Sequence, residues 1–186
     1  MNKRKILGLL YVLLFLSGPL KANAGSDVVI EILEQEIAIQ NVTTPQFGSY
    51  LLTGNQMTLQ AENDLVIEIA DKRLNKQAAW QIVYEFQPFE QGNKIPTDVL
   101  YQIGAGSLSE KKSAVKVQDY RAIPASFAAE KSAAPILSKG SETRSETLYY
   151  EYRVKKEQIK LVVPPDMEMG KYHAKEIILL QNVPTI

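Results

Sequence analysis

The sequence predicts an all-β protein, a single β-sandwich of antiparallel strands. Three observations carry that expectation. Apolar and polar residues alternate in several short runs, turn-forming residues separate those runs, and nowhere do strand-like and helix-like segments alternate as a parallel sheet would require.

The runs can be taken in order. In 64–70, Leu65, Ile67 and Ile69 face one way and Val66, Glu68 and Ala70 the other. In 79–86, Trp80, Ile82, Tyr84 and Phe86 share a face opposite Ala79, Gln81, Val83 and Glu85. In 148–154, Leu148, Tyr150, Tyr152 and Val154 oppose Tyr149, Glu151 and Arg153. In 158–163, Ile159, Leu161 and Val163 oppose Lys160 and Val162. Each pattern suits a sheet with one face buried and one wet. The run Ile177-Ile178-Leu179-Leu180 is apolar on both faces and predicts a central strand. Residues 28–39 are read as two short strands, although Val29, Ile32, Leu33 and Ile37 also fit one face of a helix.

Turn chemistry marks the gaps. Thr44-Pro45, Thr53-Gly54-Asn55, Glu62-Asn63-Asp64, Gln91-Gly92-Asn93 and Glu168-Met169-Gly170 all favour turns. Pro164-Pro165 ends the 158–163 strand by removing donors from the ladder. Residues 121–147 stand apart: rich in Ala, Ser, Lys and Glu, they read as one long solvated connection or contact arm, with a short helix over Ala125 to Lys131.

The first 24 residues predict export. Lys3, Arg4 and Lys5 precede an apolar run from Ile6 to Leu16, which is too short to span a bilayer that needs about 20 residues. Ala22-Asn23-Ala24 supplies the small residues of a cleavage site, so 1–24 is read as a signal peptide and 25–186 as one mature domain with no membrane span. Of the 21 Lys and Arg, four lie in that leader, leaving 17 against 21 Asp and Glu, a formal charge of −4. That balance lacks the clustered basic face of a nucleic-acid binder. The chain has no cysteine, so the domain must hold together by burial alone, and a chain of this size buries roughly 68–70% of its unfolded surface.

Catalytic signals are thin. His173, in an expected strand, is the single histidine, which removes histidine-based metal clusters and dyads. No Gly-x-Ser-x-Gly elbow surrounds a serine. Gly104-Ala105-Gly106 resembles a piece of a phosphate loop without its Gly-Lys-Ser/Thr ending. Glu31, Glu34 and Glu36 lack the spaced Asp/Asn loop of a calcium site and read as a solvated edge. A glycan hydrolase would need two carboxylates about 5–10 Å apart, and no pair stands out in the sequence. The expectation is a binding protein with no catalytic cycle, no metal and no cofactor.

Candidate binding residues cluster around Asp71-Lys72-Arg73 and Ala79-Trp80-Gln81-Ile82. Trp80, the single tryptophan, is either a core anchor beneath Ile82, Tyr84 and Phe86 or an aromatic platform for a glycan or partner. Tyr149, on the polar face of its strand, is the better candidate for an exposed aromatic.

From Asn41 to Gly92 the chain resembles the WxL-domain surface proteins of Gram-positive bacteria. The resemblance rests on Val42-Thr43-Thr44-Pro45-Gln46-Phe47-Gly48, the strand Leu65 to Ala70, Asp71-Lys72-Arg73, and Trp80-Gln81-Ile82 in place of the first Trp-x-Leu. The far end is similar too, through Leu161-Val162-Val163-Pro164, Gly170-Lys171-Tyr172-His173-Ala174 and a closing strand ending near Pro184. Where the second Trp-x-Leu falls, this chain has Ile178-Leu179-Leu180, and Glu176 takes a place usually apolar. The resemblance implies a surface protein bound non-covalently to peptidoglycan, with other WxL-type and WxL-interacting surface proteins as partners. Trp80, Ile82, Asp71, Arg73 and Tyr149 are its candidate contact residues. The alternative is a structural subunit of an extracellular assembly, joined by strand addition through 28–39.

Overall fold

A computed structural model describes residues 37–183 apart from 75, 91–95, 97, 113–116 and 129. The signal peptide, the acidic set Glu31, Glu34 and Glu36, the 91–93 turn and Pro184 lie outside the described residues, as does 28–36 of the expected strand pair.

The described residues form twelve strands in three antiparallel four-stranded sheets. The first joins β1 (Ile37–Thr43), β3 (Leu65–Asp71), β10 (Leu148–Val154) and β6 (Ser107–Glu110), in that order. The second runs β2 (Met57–Gln60), β11 (Ile159–Val163), β5 (Leu100–Ile103) and β8 (Ala125–Phe127). The third runs β12 (Glu176–Val183), β4 (Ala79–Phe86), β9 (Ser132–Lys139) and β7 (Tyr120–Ala122).

The first two sheets share three chain passes. β2 leads into β3, β5 into β6 and β10 into β11, and the neighbours match on both sides of the break. They therefore make one long layer, bent at 61–64, 104–106 and 155–158. Asp64 ties the bend, accepting from the Lys156 N–H at 2.9 Å and from Arg153 Nη1 at 2.9 Å. Gly104-Ala105-Gly106, which resembled a phosphate loop, is the bend of the middle pass. A Cβ on Gly106 would sit 2.6 Å from the Tyr152 ring, so only glycine lets the strands close there.

The third sheet covers this bent layer. Trp80 meets Tyr150 at 5.9 Å between ring centroids, and Phe86 meets Tyr101 at 4.9 Å. The Tyr152 hydroxyl accepts from the Gly106 N–H at 3.1 Å and donates to the Ile136 carbonyl at 2.9 Å, stitching layer to layer. The alternating runs fall as the period-two pattern requires: Leu65, Ile67 and Ile69, then Trp80, Ile82, Tyr84 and Phe86, then Leu148, Tyr150, Tyr152 and Val154 are all buried. An all-β fold follows from that burial on alternate positions.

Three sequence expectations change. Residues 121–147 are not one long connection: they contain part of β7, all of β8 and all of β9, and β9 is interior to its sheet. Ala125–Phe127 is a strand rather than the start of a helix, since Ala125 and Phe127 alternate into the core and pair with Ile103 and Tyr101. Among the described strands Ile177–Leu180 belongs to an edge strand rather than a central one, because β12 pairs there with β4 alone. His173 precedes β12 and makes a single antiparallel bridge with Glu90, through bonds of 2.7 and 3.0 Å.

Candidate functional site

The candidate residues chosen from sequence do gather at one end of the sandwich. Asp71 closes β3, Trp80 is the second residue of β4, Tyr149 is the second of β10, and register places Leu148 opposite Asp71. Burial divides them sharply. Trp80 is 1% exposed, Ile82 0% and Asp71 1%, so none of the three offers surface to a polymer. Of the two readings open for Trp80 the core anchor holds, and the contact role expected of Trp80, Ile82 and Asp71 is corrected by their burial. For Trp80 and Ile82 the physical reason is that their strand faces the bent layer, where an indole and a branched side chain fill the space against Tyr150 and its neighbours.

Asp71 and Arg73 build the turn instead. Arg73 Nε and Nη2 donate to the Asp71 carboxylate at 3.0 and 2.9 Å, and the Arg73 N–H adds a bond at 3.2 Å. Arg73 Nη1 reaches the Ala78 carbonyl at 3.0 Å, which pulls the loop 72–78 closed. Lys76 was missed from sequence. Its side chain is buried, and its amine donates to the Arg73 carbonyl and, at 3.4 Å, to the Ser145 carbonyl. The Glu142 N–H returns a bond to the Lys76 carbonyl at 2.8 Å. Two loops, 72–78 and 140–147, are thus locked together.

Further charged groups line that junction. Arg144 donates to Glu110 at 2.9 Å and to Glu142 at 3.1 Å; the Arg144 hydrogen bond holds the Glu142 carboxyl below its usual range. Lys139 is buried, donating to the Gly140 carbonyl at 3.3 Å, and burial lowers its amine pKa. The Tyr150 hydroxyl ends in this polar layer with no hydrogen-bond partner among the described residues, and burial first, then Glu142 and Asp71, raise its pKa. No sequence period marks Lys76 or Lys139, because a lysine in a loop or strand end ordinarily reads as solvated.

The surface of this end is made by other groups. Leu74 is 72% exposed on the locked 72–78 loop, and Lys72 is exposed beside it. Tyr149 is half-buried on the outer face, with Lys112 Nζ 4.3 Å from its ring centroid. Of the five candidates, Tyr149 keeps an accessible face and Arg73 a small one.

Among the described residues no group of three or more His, Asp or Glu is placed to hold a metal ion. No described helix is long and apolar enough to cross a membrane. Comparison of the chain with protein-family models, curated proteins and solved structures found no match.

Proposed function

We propose that this chain is an exported cell-surface binding protein without a catalytic cycle, a divergent relative of the WxL-domain proteins. It associates non-covalently with peptidoglycan or with a partner surface protein of WxL or WxL-interacting type. The contact surface is the sandwich end formed by the 72–78 and 140–147 loops and the adjoining Tyr149. The observation that carries this reading is the lock between those loops. Buried Lys76 and the Arg73 fork fix the backbone under Leu74, so binding there costs little ordering. The Tyr149 ring, capped on one side by Lys112, adds an amphipathic contact of the kind glycans and proteins use.

The test is co-sedimentation of residues 25–186 with bare cell-wall sacculi, beside Tyr149→Ala and Leu74→Asp variants. Both changes are at surface positions, so circular dichroism and thermal melting should match the wild type. Pelleting of the wild type with loss in either variant supports wall binding through this end. Failure of the wild type to pellet removes peptidoglycan and leaves a partner surface protein to be sought by pull-down on the same variants. Trp80→Ala is the wrong probe. It would empty the core at a cost of about 3–5 kcal/mol, and lost binding would report only lost structure.

A second reading, a subunit of an extracellular assembly, is favoured by the second edge of β12, which no described strand pairs.

A further inference from the structure

Among the described residues six strands form the edges of the three sheets, and five of them are blunted. β2 and β6 have four residues each, and β7 and β8 have three. β7 also carries Arg121 and β6 ends on Glu110. β1 is longer, but its pairing slips by a residue between Ile39 and Asn41, a bulge that twists an edge away from partners. These are the devices by which natural sheets avoid edge-to-edge joining.

Of these devices β12 has only a charge at its first residue, Glu176. It has eight residues, and its pairing with β4 runs without a register shift from Glu176 opposite Phe86 to Val183 opposite Ala79. From Ile177 to Val183 it carries no charge and no proline. It is apolar on both faces. Ile178 and Leu180 pack toward the core, while Leu179 faces outward beside Val83 and is 39% exposed. That is the composition of a strand with two neighbours, yet no described strand pairs with its second edge.

We propose that the missing neighbour is β12 of a second copy, added antiparallel about a two-fold axis near Leu179. That register keeps inner residues with inner and outer with outer, so two third sheets become one continuous eight-stranded sheet. Ile178 then faces the second copy's Leu180, Leu179 faces its own equivalent, and Ile177 faces Gln181. Glu176 falls opposite Asn182 rather than another carboxylate, so the pairing brings no like charges together. The interface is isologous and closes at two copies. It uses a different part of the molecule from the end loops and does not rest on what those loops bind.

The cysteine-free chain gives a clean test. Residues 25–186 are compared by sedimentation velocity with a Leu179→Lys variant, whose charge on the outer face of an exposed edge leaves the monomer fold intact but opposes edge pairing. A Leu179→Cys variant is oxidised mildly beside a Thr143→Cys control on an exposed loop. The expected result is a wild-type dimer, a folded Leu179→Lys monomer, and a disulfide-linked dimer from Leu179→Cys but not from Thr143→Cys. A monomeric wild type, or a dimer that survives Leu179→Lys, overturns the proposal. If Leu179→Lys fails to fold, the two cysteine variants decide alone: equal cross-linking, or none from Leu179→Cys, overturns it. A monomer that instead captures another protein's strand through this edge likewise overturns self-pairing.

Discussion

Arg73 holds Asp71 through both carboxylate oxygens, at 3.0 and 2.9 Å, where Asp71 is almost wholly buried and Arg73 nearly so. A buried ion pair of this kind adds little net stability over an apolar substitute, but breaking it leaves one charge stranded. Arg73→Ala should therefore cost about 3–5 kcal/mol in urea unfolding, far more than a surface arginine would. Arg73→Lys should recover only part of that, since an ammonium cannot span both oxygens and the Ala78 carbonyl. A loss below about 1 kcal/mol would show that the pair is effectively solvated.

Asp64 sets an acid limit on the bend between the first two sheets. The Lys156 N–H, then Arg153, lower its pKa to about 2. A carboxyl with a depressed folded pKa gives stability that is present above its unfolded value and lost as pH falls through its folded one. Asp64→Asn should cost about 1–2 kcal/mol at neutral pH. The gap from wild type should narrow steadily as pH is lowered from near 4 toward 2. Parallel stability curves for the two proteins across that window would count against it.

Glu176 acts in the opposite sense. Burial raises its pKa, although Tyr84 and Tyr101 both hydrogen-bond its carboxyl and partly offset the shift. The two tyrosine hydroxyls lie 3.3 Å apart within an aromatic group that includes Phe86 and Phe127. A raised folded pKa gives stability that is complete below the unfolded value and lost as pH rises through the folded one. Glu176→Gln should melt about 2–4 °C higher than wild type at neutral pH, with the advantage fading in acid. Thermal melts at several pH values would show this, and an advantage that grows in acid would reverse the assignment.

The Tyr150 hydroxyl is buried without a hydrogen-bond partner among the described residues. Tyr150→Phe keeps the ring against Trp80 and removes an unsatisfied polar atom. The variant should be more stable by about 1 kcal/mol. A loss of stability instead would mean that the hydroxyl is satisfied in solution, by a water or by one of the surrounding carboxylates.

Much of the fold was legible because strand periodicity is local. Leu65–Ile69, Trp80–Phe86 and Leu148–Val154 announce their buried faces through alternation alone, and Pro164-Pro165 marks where β11 stops. Residues 121–147 concealed their strands because β7 and β8 have only three residues each and β9 is rich in Ala and Ser. Their apolar signal is weak, and neighbouring strands select their extended form.

The candidate site divides along the same line. The sequence by itself determined that Asp71, Arg73 and Trp80 stand close together in the chain and that Tyr149 points away from the core. Only the tertiary structure decided that Trp80 and Ile82 are interior, that Lys76 and Lys139 are buried, and that β12 lies at an edge among the described strands. Alternation reports that a residue faces a sheet's inner or outer side. What covers that side, and which strand lies alongside, depends on segments far away in the chain, and no local period encodes them.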